Sequence, residues 1–222
     1  MTRLTILITL VALVGTGCAK PEPEAQFSWE LYRSPGTSPE MFKGASVAIL
    51  PAVTTEDDQI YREALSGVLY QSLIKVKNGP RIIPLDIVQS TCNKKRLLNE
   101  YRETVKIYQE TGMFSRETLS RLSRALNARY ILLPKLLRFK QVTFNRATIL
   151  GISFLKTRES TVDIHAQLWD TKSGKIIWHG AGEGMITTEV MTGTPASFMQ
   201  VAQYACESLA SRLPWVKPPP GY

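Results

Sequence analysis

A cysteine near the start of the chain carries the clearest chemical signal. Arg3 supplies a positive charge, residues 4–14 form an apolar run, and Gly15-Thr16-Gly17 places small side chains directly before Cys18. This is the order of a bacterial lipoprotein signal, in which the peptidase binds the backbone closely and the cysteine sulfur takes the lipid. We therefore expect residues 1–17 to be removed and Cys18 to be lipidated.

Two alternatives are an ordinary secretory signal and a short membrane helix. The apolar run has only eleven residues, whereas a helix that spans a bilayer needs about 20. The sequence thus favours a lipid anchor over a span. Ala19, uncharged, follows the cysteine, which predicts passage to the outer membrane with the protein facing the periplasm.

Catalytic motifs are weakly supported. Ser72-Leu73-Ile74-Lys75 matches the Ser-x-x-Lys of penicillin-recognising enzymes, but residues 153–156 match it too, and no Ser-x-Asn lies at a fitting place. The glycine run at residues 180–184 is followed by a β-like segment and not by the helix that a phosphate loop requires. We expect a protein without catalytic residues, and a periplasmic enzyme is the contrasting class.

Metal and disulfide chemistry depend on few residues. His165 and His179 fall on adjacent predicted strands without a known ligand spacing, and no Cys-x-x-Cys occurs, so neither a metal nor a cofactor is expected. Cys92 and Cys206 either form a disulfide in an oxidising compartment or are two small buried side chains. Both alternatives stay open at this point.

The charge balance points to anionic partners. The chain of 222 residues has a formal net charge of +8 and a pI near 9.5. Lipid headgroups, an acidic polysaccharide or an acidic protein face suit such a balance. Nucleic acid is excluded as a partner, because an exported lipoprotein does not normally meet it and the chain has no nucleic-acid-binding motif.

Residues 138–158 form the candidate contact surface. They mix five cations with seven large apolar side chains and contain no acidic residue before Glu159. A connection of this length between two strands is uncommon unless it has a function. One interpretation is a protruding hairpin that touches a membrane, a polymer or a protein, and the other is a hairpin packed on its own domain. The candidate contact residues are Arg138, Lys140, Phe144, Arg146, Phe154, Lys156 and Arg158.

The elements that must position these residues follow from hydrophobic periodicity. Residues 18–44 are rich in proline and charge and predict a tether, although Phe27, Trp29 and Tyr32 favour docking onto protein. Residues 45–213 predict one α/β (α+β) domain with a mixed sheet of about five strands and helices packed on it. Its last part is an antiparallel meander and then a final helix capped by Thr194, and residues 214–222 are a proline-rich tail.

Three phrases in this order suggest a family. They are SVAILPAV, LSRALNARYILLPKL and VDIHAQLWDTKSGKIIWHGAGEG, and they resemble envelope lipoproteins related to the curli secretion channel, to the TolB N-terminal domain and to lipoprotein activators of peptidoglycan synthases. The resemblance implies a domain that acts by binding and often assembles into homo-oligomeric rings. It implies an outer-membrane scaffold or docking module for export or assembly of a surface polymer, or else an activator of a peptidoglycan synthase. Residues 138–158 are too few for the two hairpins per subunit of the curli channel.

Overall fold

The computed structural model describes residues 25–149, 152–190 and 194–216. Its strands are β1 (Ala25–Arg33), β2 (Ser46–Ile49), β3 (Arg81–Ile83), β4 (Tyr130–Ile149), β5 (Ile152–Asp170) and β6 (Lys175–Val190). Its helices are α1 (Arg62–Ile74), α2 (Leu85–Lys94), α3 (Leu98–Thr111), α4 (Arg116–Leu126) and α5 (Phe198–Ala210). Two short 3-10 turns, Pro39–Phe42 and Gln59–Tyr61, complete the order.

The strands form one mixed sheet in the order β1-β6-β5-β4-β2-β3. β2 runs parallel to β3 and to β4, whereas the β4-β5-β6 meander and the β1-β6 pair are antiparallel. The mixed sheet, the meander and the final helix are as the sequence predicts. The sheet has six strands, and the additional one is β1.

Strand β1 lies inside the segment that the sequence analysis assigned to a tether. Its backbone pairs with β6 from Ala25↔Met185 to Arg33↔Trp178. The folded part therefore begins before residue 45. This segment forms a strand because its apolar and polar residues alternate: large apolar residues at 27, 29 and 31 are separated by polar ones at 26, 28 and 30.

Helices cover both faces of the sheet. Alternate β4 residues show this, because Tyr130 and Leu132 belong to one core cluster while Ile131 and Leu133 belong to the other. The first cluster includes side chains of α1 and α5, and the second includes side chains of α2, α3 and α4. The domain is thus a three-layer arrangement around a sheet whose central strands are buried on both sides.

Local signals mark both ends of α4 and the start of α5. Ser115 accepts a hydrogen bond from the Thr118 amide at the start of α4, and Asn127 ends it in the left-handed conformation with φ 49°. The prediction of Thr194 as the cap of the last helix is wrong. Ser197 caps α5 three residues later, because Gln200 completes a capping box with it.

Helix α5 lies directly on the glycines of β6. A Cβ added at Gly182 would stand 2.5 Å from the Ala205 carbonyl oxygen, and one at Gly184 would stand 2.6 Å from the Val201 carbonyl oxygen. The glycine run is therefore a packing surface, as the sequence analysis expected, and not a phosphate loop.

Candidate functional site

The predicted contact segment is a continuation of two long strands. β4 and β5 stay paired from Tyr130↔Asp170 to Ile149↔Ile152, and β6 accompanies β5 as far as Lys156↔Val190. At the base, the Gln141 amide and the Ser160 hydroxyl both donate to the Ala196 carbonyl, at 2.8 and 3.1 Å. We call residues 142–159, beyond this point, the hairpin arm.

The register divides the predicted contact residues between two faces. Three of them lie on the face opposite α5. In the strand register, Arg138 is opposite Asp163, Lys140 is opposite Thr161, and Phe144 is opposite Thr157. Lys156 and Arg158 alternate with these β5 residues and lie on the α5 face. Arg146 lies in β4 and Phe154 in β5, but their side chains are outside the described residues.

The charge of Arg138 is neutralised by a carboxylate that the segment itself does not contain. Its guanidinium contacts Asp163 Oδ2, with Nη2 at 2.6 Å and Nε at 2.7 Å. Glu183 of β6 is the register partner of Asp163 in β5, so the two carboxylates lie side by side on this face. Burial, and then the charge of Asp163, raise the pKa of Glu183, while Arg138 opposes the shift. This part of the face is a mixed charge cluster and not a purely basic patch.

Aromatic side chains of β1 extend this face to the edge of the sheet. The rings of Phe27 and Trp29 stack with centroids 6.1 Å apart, and the two side chains remain 51% and 48% exposed. Tyr32 is exposed to a similar degree. The expected docking of these three side chains onto the domain is not seen: the backbone of β1 pairs with β6, while the aromatic rings stay exposed.

Cross-strand pairing joins these side chains into one surface. Phe27 is in register with Glu183, and Trp29 with Ala181, which in turn faces His165. We call this surface the open face. Its members are Phe27, Trp29, Tyr32, Lys135, Arg138, Lys140, Asp163, His165, His179 and Glu183.

Two histidines lie at the centre of the open face. Their rings meet edge to face with centroids 5.2 Å apart, across the β5-β6 hairpin as the sequence predicts. Burial lowers the pKa of both, aided by Lys135 at His165 and by His165 at His179. Both are therefore neutral near pH 7, where each ring offers one donor and one acceptor. The face can bind sugar hydroxyls, polar peptide groups or aromatic surfaces.

The residues of the enzyme-like motifs have structural roles. The Ser72 hydroxyl is buried and donates to the Val68 carbonyl of its own helix, and Lys75 pairs with Glu207 at 2.8 Å. Among the described residues, no three His, Cys, Asp or Glu side chains group as metal ligands would. No described helix has the length and apolar character that crossing a membrane requires.

The two cysteines within the described residues are separate. Cys92 on α2 belongs to one core cluster and Cys206 on α5 to the other, on opposite faces of the sheet, and both are free. Of the two alternatives, the structure supports small buried side chains and not a disulfide. Cys18 lies outside the described residues.

A cleft that the sequence did not indicate lies at the carboxyl end of β2. It has a volume of about 510 Å³ and is bordered by the segment after β2, the start of α1, α2 and α3. Its walls come from two regions of the sequence, residues 51–63 and 88–109. Only Thr54-Thr55, five residues after the end of a buried strand, is a local signal that could have pointed to it.

Comparison with protein-family models finds no match, and comparison with curated proteins finds none either. Solved structures with a similar arrangement include a PelC dodecamer from Paraburkholderia phytofirmans, with 14% identity, 86% of this chain and 98% of that chain covered, and a TM-score of 0.46. The lipoprotein GNA1162 from Neisseria meningitidis has 15% identity over 68% and 87% of the two chains, with a TM-score of 0.37. The LpoB C-terminal domain from Salmonella enterica has 12% identity over 68% and 86%, with a TM-score of 0.34.

Proposed function

We propose that this protein is a lipid-anchored, non-enzymatic docking module of the outer membrane, whose hairpin arm rests on the bilayer. The open face then receives an envelope protein or an anionic polymer during export or assembly, in a homo-oligomeric scaffold. The observation that carries the proposal is the direction of β1. Its first residue lies at the end of the sheet from which the hairpin arm projects.

The strand register supports this common direction. Ala25 pairs with Met185, and Met185 pairs with Thr161 of β5. From Thr161, β5 runs back nine residues to Ile152 at its tip end, which is about 30 Å of strand at about 3.3 Å per residue. The amino end of β1 and the tip of the arm therefore lie on the same side of the domain.

The length of the linker supports a short distance to the membrane. If Cys18 carries the lipid, six residues separate it from Ala25. Fully extended, they span roughly 20 Å. The arm projects about 30 Å beyond the level of Ala25, which is further than six residues can reach, so a lipid on Cys18 would bring the tip of the arm to the membrane surface. The same length argues against an activator that reaches across the periplasm to a synthase.

The composition of the arm suits a membrane surface. Its sequence combines Arg146, Lys156 and Arg158 with Ile149, Leu150, Ile152 and Phe154. Apolar side chains insert at the boundary between headgroups and acyl chains, while cations attract anionic lipids. A weak second contact of this kind also suits a singly anchored protein, because stable membrane attachment commonly needs two signals.

The test uses the chain from residue 18 onward with Cys18→Ser, which retains every described helix and strand but has no lipid. Each cation near an anionic surface contributes about 1 kcal/mol. We expect the triple variant Arg146→Gln, Lys156→Gln and Arg158→Gln to bind phosphatidylglycerol vesicles about 100-fold more weakly, since 1.4 kcal/mol corresponds to a factor of ten. Cosedimentation at low and high salt measures the change.

A matched control removes three exposed cations from the other end of the sheet. Arg124→Gln, Lys172→Gln and Lys175→Gln lower the net charge equally, but lie in the last turn of α4, in the turn after β5 and at the first residue of β6. We expect this variant to bind nearly as the parent does. Equal weakening in both triple variants, or none in the first, would show that the arm does not contact lipid.

A further inference from the structure

The cleft at the carboxyl end of β2 contains polar groups that nothing in the fold satisfies. Thr54 is only 8% exposed, and its Oγ1 has no hydrogen-bond partner. The buried Nε of Arg62, at the start of α1, has none either. Both residues line the cleft. Buried polar groups are nearly always paired in folded proteins, so two unpaired groups on residues that line one cleft indicate a missing partner.

The position of the cleft agrees with a ligand site. β2 is parallel to both of its neighbours, and the chain leaves β2 toward α1 on one face of the sheet but leaves β3 toward α2 on the other. Connections that diverge in this way open a crevice beyond the carboxyl ends of the strands, where open α/β sheets bind ligands. A volume of about 510 Å³ is within the usual range for a small molecule.

The walls define the chemistry of the ligand. Ala52, Val53, Val88 and Cys92 are buried apolar or weakly polar side chains on the inner wall. The charged groups that line the cleft are Arg62, Arg102, Lys106, Glu56 and Glu63. The cations outnumber the carboxylates, and arginine prefers carboxylate partners because its guanidinium donates two parallel hydrogen bonds.

Tyr101 adds a donor beside Arg62. Burial, and then the charge of Cys92, raise the pKa of its hydroxyl, while the nearby Arg62 lowers it, with a net rise. The phenol is therefore protonated at neutral pH and can donate a hydrogen bond. The lining of the cleft therefore combines hydrogen-bond donors with apolar side chains.

We propose that this cleft binds a small carboxylate with an apolar body, its carboxylate held by Arg62 and Thr54 and its body against Val53 and Val88. None of the residues that line the cleft belongs to the open face or to the hairpin arm, although Val53 is bridged to Lys135 of the open face. The proposal does not depend on the function proposed for those two surfaces. It gives the domain a ligand-binding capacity in addition to its docking surfaces.

The probe is 3-phenylpropionate, and its neutral amide is the matched ligand control. Amide chemical shifts of the chain from residue 18 with Cys18→Ser are followed by NMR. We expect saturable shifts clustered around residues 51–63 and on α2 and α3, with a dissociation constant of roughly millimolar order for so small a fragment. The amide is expected to bind at least tenfold more weakly.

Two substitutions test the assigned contacts. Arg62→Gln and Thr54→Val should each weaken the carboxylate about tenfold or more, because hydrogen bonds to a charged group are the stronger kind. Arg124→Gln, which removes an exposed cation far from the cleft, should leave the dissociation constant unchanged. Thr54→Val should also leave the melting temperature unchanged or raise it, since it removes a buried hydroxyl without a partner.

Three outcomes would overturn the proposal. Shifts that are absent or scattered over the surface would mean that the cleft does not take a carboxylate. Equal binding of the acid and the amide would mean that Arg62 does not recognise charge. A clear fall in melting temperature for Thr54→Val, with binding unchanged, would mean that the hydroxyl serves the fold through a bound water.

Discussion

The contact between α5 and β6 is close enough that one methyl group should disturb it. In Gly182→Ala, the new Cβ would lie 2.5 Å from the Ala205 carbonyl oxygen and 3.0 Å from Leu209 Cβ. The first of these is a backbone atom, so α5 itself must move by roughly an ångström to restore an ordinary contact. Seven residues of α5 are buried in the same interface and would move with it. We expect a loss of about 1–3 kcal/mol in the free energy of unfolding, as for other overpacked cores.

Thermal denaturation followed by circular dichroism measures this loss. For a chain of this size, 1 kcal/mol shifts the melting temperature by about 2–4 °C, so Gly182→Ala should melt about 3–10 °C below the parent. The control is Gly67→Ala on the exposed side of α1, where an added Cβ meets nothing within 4 Å. That variant should gain about 0.5–1 kcal/mol, because alanine favours a helix over glycine. Shifts of the same sign in both variants would refute the packing argument.

Three further predictions concern stability and access. Ser197→Ala removes the capping box of α5 and should lower the stability by about 1 kcal/mol in chemical denaturation. Burial holds the pKa of His165 and His179 below the ordinary 6.5, so the unfolded chain binds more protons in acid than the folded one. The contribution of the two histidines to the free energy of unfolding should be fully present above about pH 6.5 and be lost as the pH falls below it, and histidine-to-glutamine variants should flatten this profile in denaturation series. Burial raises the thiol pKa of Cys92 and Cys206; both should react with a thiol reagent only after denaturation, and a disulfide found by mass spectrometry would contradict their separation.

Much of the fold was accessible from sequence because its signals are local. The cap at Ser115, the left-handed end at Asn127 and the turn glycine Gly174 with φ 72° each act within a few residues. Parallel and meander strands were also recognisable by composition. Strand β1 was missed because the prolines and charges on either side of it suggested a tether, although the alternation of residues 26–31 was present and indicates a strand.

The sites were less accessible, because they are formed by contacts between distant segments. Arg138 lies 25 residues from Asp163 in the chain, yet their side chains form one ion pair. Trp29 and His165 lie in one row of the sheet, on either side of Ala181, only because β1 pairs with β6 and β6 pairs with β5. The cleft joins the segment after β2 and the start of α1 to residues of α2 and α3. No spacing rule within one segment reports such neighbours, so the sequence could indicate the hairpin but not the surface beside it.

A single bulge determines which way Arg138 and Lys140 of β4 face. Leu136 pairs with Ile164 on the α5 face, and without irregularity Arg138 would pair with Val162 on that same face. The bulge at Leu137 instead pairs Arg138 with Asp163 and transfers Arg138 and Lys140 to the open face. Because side chains alternate with a period of two, one extra residue exchanges the faces of all that follow until the next bulge. The open face therefore owes two of its cations, Arg138 and Lys140, to the bulge at Leu137, a residue with no charge of its own. This is why the linear pattern of charge could not reveal the surface they form.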